Sequence, residues 1–210
     1  MEDALLLHWR RLADSLGAPP AWRDRCWEEL ARQYGRKQRA YHNLQHISDL
    51  LSLADEYRRE LSDPQVVELA VWYHDLVYVP GRSDNEERSA RRAEVLLQEL
   101  GLSSERTAAV GHLIRRTARH RPTGDLADEG YFLDFDLSVL GRSWEAYRLY
   151  ARQIRREYRR FPDLVYRPGR RKVLRQFLDR PSLFFTPAFR RSFEAQAREN
   201  LSRELEELTK

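Results

Sequence analysis

Two adjacent residues, His74 and Asp75, sit near the end of the apolar run VVELAVWYHDLVYV (66–79). An imidazole and a carboxylate in a segment that otherwise favours burial need a partner, because an unpaired buried charge is costly. Upstream lies Tyr41-His42-Asn43-Leu44-Gln45-His46, and downstream lies Asp134-Phe135-Asp136-Leu137. One His, then a His-Asp pair, then an Asp, all on expected helices, is a pattern suited to a metal ion. Neighbouring residues on a helix point about 100° apart, so His74 and Asp75 do not stack on one another, but they can flank a single ion. One histidine and one aspartate from other helices complete four nitrogen and oxygen donors. Such a set leaves positions for water and suits Mn²⁺, Fe²⁺, Ni²⁺, Co²⁺ or Mg²⁺ better than a closed structural zinc.

Several other residues bear on such a site. His42 lies four residues before His46, and Asn43 reads as a helix N-cap, which leaves His42 just outside the helix, as a group touching substrate or supporting a ligand. His120 shares a stripe with Leu113 and Thr117 and is expected to point inward, towards a phosphate or a second ion. His112 falls with Arg116 and Arg119 on a polar face and, like His8, is expected to be inert. Arg39 and the Arg155/Tyr158 pair are candidates for phosphate contacts, since guanidinium groups match phosphate oxygens.

Helical spacing runs through nearly the whole chain. Stripes at Leu5, Trp9, Leu12 and Leu16, at Cys26, Trp27 and Leu30, and at Ile47, Leu50, Leu51, Ala54, Tyr57 and Leu61 mark the first three helices. Asp63-Pro64 reads as cap and first position of the next helix, which carries His74-Asp75 and is apolar nearly all round, so it is expected to be central. Glu86 to Leu100, then Ser103 to about His120, follow. A helix containing Asp136 comes next, then the regular stripe Trp144, Tyr147, Ala151, Ile154, Tyr158 and Phe161. Pro162 to Gly169 reads as a loop, Arg170 to Leu178 as a helix with Val173, Leu174 and Phe177 inward, and Thr186-Pro187 starts the last helix. There is no alternating strand and no repeat. The expectation is an all-α fold of about eight to ten helices in one compact domain over 1–210, with the metal-site core at about 40–141.

Composition narrows the function classes. No stretch approaches the roughly 20 apolar residues of a membrane span, and the N-terminal segment has no secretory pattern. Cys26 is the one cysteine among 210 residues, which excludes a disulfide framework and a thiolate metal site and points to the cytoplasm. The formal net charge is +4. Of 37 basic residues only Lys37, Lys172 and Lys210 are lysine; the rest are arginine. They alternate with Glu and Asp instead of forming one arm, which argues against a dedicated nucleic-acid surface.

The order His46, His74-Asp75, Asp136 resembles the HD-domain superfamily of metal-dependent phosphohydrolases. The wording Tyr41-His42-Asn43-x-x-His46, Trp72-Tyr73-His74-Asp75-x-x-Tyr78, Asn85-Glu86-x-x-Ser89-Ala90 and Asp134-Phe135-Asp136-Leu137-x-x-Leu140-Gly141 is similar to a bacterial branch of predicted HD phosphohydrolases. The similarity extends to Ala195-x-Ala197-Arg198-x-Asn200-Leu201. It implies His46, His74, Asp75 and either Asp136 or, as the alternative, Asp134 as ligands of a divalent metal ion. Asp136 stands in the Phe-Asp-Leu position where the superfamily places its last ligand. The same resemblance implies that Glu86 assists the attacking water, with Asp75 both ligand and acceptor and His120 a second proton carrier. A small phosphorylated substrate, a nucleotide by analogy, is the expected partner, and self-association is open. Competing expectations are a metal- and nucleotide-binding regulatory protein without turnover, and an HD-fold oxygenase, for which His42 and His120 offer extra ligands.

Overall fold

A computed structural model describes residues 1–209. Ten α-helices and two short 3-10 turns account for the secondary structure, and no strand occurs among the described residues. The helices gather into two compact units, Met1–Phe132 and a second from Leu133 onward.

The first unit is built around α4 (Pro64–Tyr73). Every residue of this helix from Val66 to Tyr73 is buried, as its nearly uniform apolar surface dictates. Asp63 starts it by accepting the Val66 amide at 3.1 Å, with Pro64 at the first helical position, where the missing N–H costs nothing. Around α4 lie α1 (Glu2–Ser15), α2 (Pro20–Tyr34), α3 (Leu44–Glu56), α5 (Asn85–Leu100) and α6 (Ser104–Arg116). The large rings of Trp9 and Trp72 meet at 5.7 Å in a T-shaped pair, and Trp9 stacks on Trp22 at 5.9 Å. Trp9 Nε1 donates to Arg23 O, Trp22 Nε1 to Leu96 O and Tyr34 Oη to Trp72 O, while the buried Trp72 Nε1 has no hydrogen-bond partner. Trp22 had no place in the inward stripe read from the sequence, yet it is the buried tryptophan of α2, while Trp27 is half-buried.

Two helix ends differ from expectation, and both concern the site. α4 stops at Tyr73, so His74 is its C-cap and Asp75 lies in the following turn. α6 stops at Arg116, and the turn after it ends at His120 with φ +43, the one non-glycine residue in the left-handed region among those described.

The second unit holds the C-terminal half of α7 (Glu129–Leu137), α8 (Trp144–Glu157), α9 (Asp163–Leu178) and α10 (Pro187–Glu207). The 3-10 turn Ser138–Gly141 lies so close to α10 that a Cβ on Gly141 would stand 2.5 Å from Phe193 Cβ and 2.7 Å from its carbonyl oxygen. Asn200 secures that approach by donating to the Leu140 and Arg142 carbonyls, each at 2.8 Å. The segment 163–169, expected as loop because of Pro168 and Gly169, is helical. Pro168 lies in the second turn of α9, where its missing N–H leaves only the carbonyl of Leu164 without a helical bond, and Leu164 is 90% exposed to water. Val173, expected inward, is exposed.

Before α10, the strap 182–184 is held by one carboxylate. Glu194 accepts from the Leu183 and Phe184 amides and from Ser182 Oγ, and takes Arg198 Nε at 2.8 Å. Burial opposes its ionisation, but these donors outweigh burial and hold the carboxyl below its ordinary range. Its stabilising contribution is therefore present above the unfolded-state value and is lost as pH falls through the folded one. Glu194→Ala is expected to cost about 1–3 kcal/mol in urea unfolding at neutral pH, with the gap from the parent narrowing under acid.

Candidate metal centre

Each half of the cluster in the first unit is placed by local chemistry. Asn43 caps α3: its Oδ1 accepts from Gln45 N at 2.8 Å and His46 N at 3.4 Å, and its Nδ2 donates to Ala40 O. His46 thus sits in the first turn of α3, and it is 3% exposed. His74 is 1% exposed at the end of α4. Its Nδ1 lies 2.9 Å from the Val71 carbonyl, which can only accept. Nδ1 therefore carries a proton, and Nε2 faces the site.

His46 Nε2 and His74 Nε2 are 3.1 Å apart, His74 Nε2 and Asp75 Oδ2 are 3.1 Å apart, and His46 Nε2 and Asp75 Oδ2 are 3.8 Å apart. His42 Nε2 lies 3.9 Å from the same carboxylate oxygen. Burial raises the Asp75 carboxyl, but the charges of His74, His42 and His46, with the His74 hydrogen bond, overcome it and hold the group well below the usual carboxylate range. Electron-pair donors this close repel unless a proton or a cation stands between them. Two donors about 2.1 Å from an ion and at right angles to one another lie about 3.0 Å apart. The two shorter edges fit that spacing, so the group could hold a metal ion.

The walls of the cluster are aromatic. Tyr41 lies 4.8 Å from the His46 ring and 5.0 Å from the His42 ring, and Tyr78 lies 4.1 Å from His42. The Phe132 ring stands edge-on to His74 at 6.2 Å. Neither Tyr41 nor Tyr78 was assigned a role from sequence. Their signal was there in their place beside His42 and three residues after Asp75.

Arg39, read as a phosphate-binding candidate, is 4% exposed and spends its donors on backbone. It reaches Asp75 O at 2.7 Å, Leu76 O at 2.9 Å and His42 O at 3.4 Å. It thus ties the turn carrying Asp75 to the turn carrying His42. Downstream, Ser89 Oγ accepts from the Val77 amide and donates to its carbonyl, and the Asn85 side chain pairs with both backbone groups of Val79. These bonds fasten the start of α5 to the segment leaving Asp75. Glu86, in that first turn, is half-buried, and no hydrogen bond or ion pair engages its carboxylate among the described residues.

In the second unit, Asp134 is fully buried and its two oxygens accept from Phe185 N at 2.8 Å, Thr186 N at 2.8 Å and Thr186 Oγ1 at 2.7 Å. It holds the start of α10. Burial pushes its carboxyl up to about 6, and the Phe185 and Thr186 donors oppose that shift. Asp136, one side of the helix away, is half-buried. Arg155 donates to Asp163, to the Tyr158 and Phe161 carbonyls, and lies over the Tyr166 ring at 4.6 Å, so it knits α8 to α9; Tyr158 stacks among Phe161 and Tyr166.

Several His, Asp and Glu clusters in the chain have the makeup to hold a metal ion. Within the first unit, His8, Asp55 and Glu68 form one, and His112, Asp125 and Glu129 another, each with ligand atoms within 4.8 Å. Both histidines, expected to be inert, are engaged. His8 meets buried Glu68, which also pairs with Arg58, and His112 meets buried Glu129, which also accepts from the Thr123 and Gly124 amides. Those carboxylates already have donors, whereas His46 Nε2 and His74 Nε2 stand 3.1 Å apart with Asp75 beside them, close enough to share one proton or one ion.

No family model matches the chain, and neither a curated protein nor a solved structure matches it. Arg39→Lys is expected to lower stability by about 2–3 kcal/mol, because an ammonium cannot serve the Asp75 and Leu76 carbonyls in the planar geometry of a guanidinium; chemical denaturation with a retained helical circular-dichroism signal checks this.

Proposed function

We propose that the chain is a metal-dependent phosphohydrolase of the HD type, acting on a phosphate ester or anhydride, with a nucleotide as the substrate class. The observation that carries the reading is the triangle of His46 Nε2, His74 Nε2 and Asp75 Oδ2, with edges of 3.1, 3.1 and 3.8 Å. Asp136 is the proposed fourth ligand. Asp134 has its oxygens committed to the backbone at Phe185 and Thr186, which favours Asp136 of the two.

A divalent ion held by these groups supplies Lewis acidity towards a phosphoryl oxygen and lowers the pKa of a coordinated water. The chain's own residues do the rest. Asp75, ionised by its histidine neighbours, accepts a hydrogen bond from the attacking water and orients it. Glu86, with an unengaged carboxylate, takes the proton as the new P–O bond forms, and the proton passes to the leaving oxygen as the old P–O bond breaks. His42, partly exposed beside Asp75, contacts the substrate phosphate. His120 is the second candidate for the proton, and its left-handed backbone is the kind of strain that persists where surrounding structure enforces it. His42 also makes the cluster richer in nitrogen than a four-ligand set requires, and two ions per chain would instead favour the oxygenase reading.

Purified protein is expected to bind Mn²⁺ or Co²⁺ at one ion per chain and to release phosphate from a nucleotide panel. Asp75→Ala is expected to abolish both. Glu86→Gln is expected to lower kcat by about 10²- to 10⁴-fold with metal content unchanged. Retention of metal and activity in Asp75→Ala would falsify the reading, and tight nucleotide binding with no product would replace it with the regulatory one.

A further inference from the structure

The formal charge of the chain is divided unequally. Residues 133–210 carry 18 lysines and arginines against 11 aspartates and glutamates, and residues 1–132 carry 19 against 22, so the whole positive excess belongs to the second unit. Within that unit α9 has five basic residues and one acid, Asp163. Three of these six groups are spent inside the unit. Arg170 forms a two-pronged pair with Glu204 of α10, both bonds at 2.8 Å, Arg167 donates to the Glu207 carbonyl, and Asp163 accepts from Arg155 of α8. No hydrogen bond or ion pair engages the side chains of Arg171, Lys172 and Arg175 among the described residues.

Where this surface is not basic, it is apolar. Of the seven large apolar side chains exposed among the described residues, Leu149, Leu164, Val165 and Val173 lie on α8 and α9, and Leu164 is the most exposed at 90%. Tyr166 and Leu174 turn into the unit. At about 100° per residue, Leu164, Val165, Pro168, Lys172 and Arg175 fall on the opposite face of α9, with Arg171 at its edge. From Leu164 to Arg175 that face runs about 16 Å along the helix axis. An open depression of about 360 Å³ lies on it, bordered by Pro168, Arg171, Lys172, Arg175, Gln176 and Asp179, the one acid among them.

A partner for such a face must supply negative charge for the cations and a non-aqueous medium for the aliphatic side chains. A nucleic-acid backbone offers the first without the second, and bases stack on aromatic rings, none of which is among the exposed large apolar residues. The headgroup region of an anionic bilayer offers both, because its phosphates and carboxylates lie directly above acyl chains. We propose that the outer face of α9 docks on an anionic lipid surface: Leu164, Val165 and Pro168 enter the boundary between headgroups and acyl chains, while Arg171, Lys172 and Arg175 pair with headgroup phosphates and carboxylates. No helix among the described residues is long and apolar enough to cross a bilayer, so this attachment lies on the surface and weakens with salt. It is independent of the proposed reaction and of the residues assigned to it.

The test is co-sedimentation of the full chain with vesicles of phosphatidylcholine, alone or mixed with phosphatidylserine. Sedimentation is expected with the mixed vesicles only and falls as salt rises. Arg171→Ala, Lys172→Ala and Arg175→Ala combined are expected to weaken binding by about 100-fold, at about 5-fold for each cation near a charged bilayer. Leu164→Ser with Val165→Ser is expected to weaken it by about 10-fold. Both variants are expected to keep the parent Tm, since these side chains serve no buried contact. Arg10→Ala with Arg11→Ala, which removes two exposed cations of α1, is expected to sediment as the parent does. Absence of sedimentation with phosphatidylserine overturns the proposal, and a loss in the Arg10/Arg11 variant equal to that of the α9 triple variant overturns the assignment to α9. Tighter binding to an RNA oligonucleotide than to the vesicles, unchanged by the Leu164/Val165 pair, would replace the lipid with a nucleic acid.

Discussion

Three electron-rich atoms within 3.8 Å of one another, on side chains that are almost entirely withdrawn from water, form an arrangement that does not persist by itself. With no proton between them, two imidazole nitrogens and a carboxylate repel at that range, and a low dielectric strengthens the repulsion. Such a group needs a proton or a cation at its centre, and it needs a scaffold stiff enough to keep the donors from swinging apart. Much of the first unit is that scaffold. The His74 ring is tethered to the Val71 carbonyl, His46 is fixed by the Asn43 cap, and the turn carrying Asp75 is pinned by Arg39.

The stiffness comes from close packing around α4, whose Val66–Tyr73 face no water. A helix of that kind cannot rotate without emptying contacts on every side. Its last residue therefore delivers His74 to one place. The chain beyond is stapled by Asn85 and Ser89 to residues 77–79, so that the exit from the site is as fixed as the entrance. Buried polar groups recur wherever a loop must be held: Asp128 takes the Ser62 and Asp63 amides, Glu129 the Thr123 and Gly124 amides, Glu194 the Leu183 and Phe184 amides, and Asp134 the Phe185 and Thr186 amides. Four carboxylates thus do one job, accepting from backbone donors that would otherwise be left unpaired.

That shared device explains which parts of the site were legible in the linear chain. His46 stands on the periodic stripe of α3, and His74 and Asp75 follow a helix that is apolar on nearly every side, so the burial of this group follows from the local pattern. Arg39 is different. Nothing in Arg36-Lys37-Gln38-Arg39 separates the last arginine from its exposed neighbours, and its burial arises because the Asp75 and Leu76 carbonyls of a distant turn converge on it with the nearby His42 carbonyl. Asp134 and Asp136 look alike in sequence, and it is the Phe185-Thr186 backbone, some fifty residues on, that occupies the first. His8 and His112 read as polar-face residues because their partners, Glu68 and Glu129, lie far off or across a loop.

The sequence by itself determined the helical class, the caps at Asn43, Asp63 and Ser103, the central place of α4 and the three donors of the first unit, because those depend on local periodicity and local hydrogen bonding. Tertiary structure alone decided that α4 ends one residue before the His-Asp pair, that Pro168 lies within a helix, and which arginines and acids are spent on backbone. Those outcomes turn on long-range burial. A helix breaker is tolerated where its orphaned carbonyl meets water, and a charge is drawn inside wherever unpaired backbone groups of another segment need it.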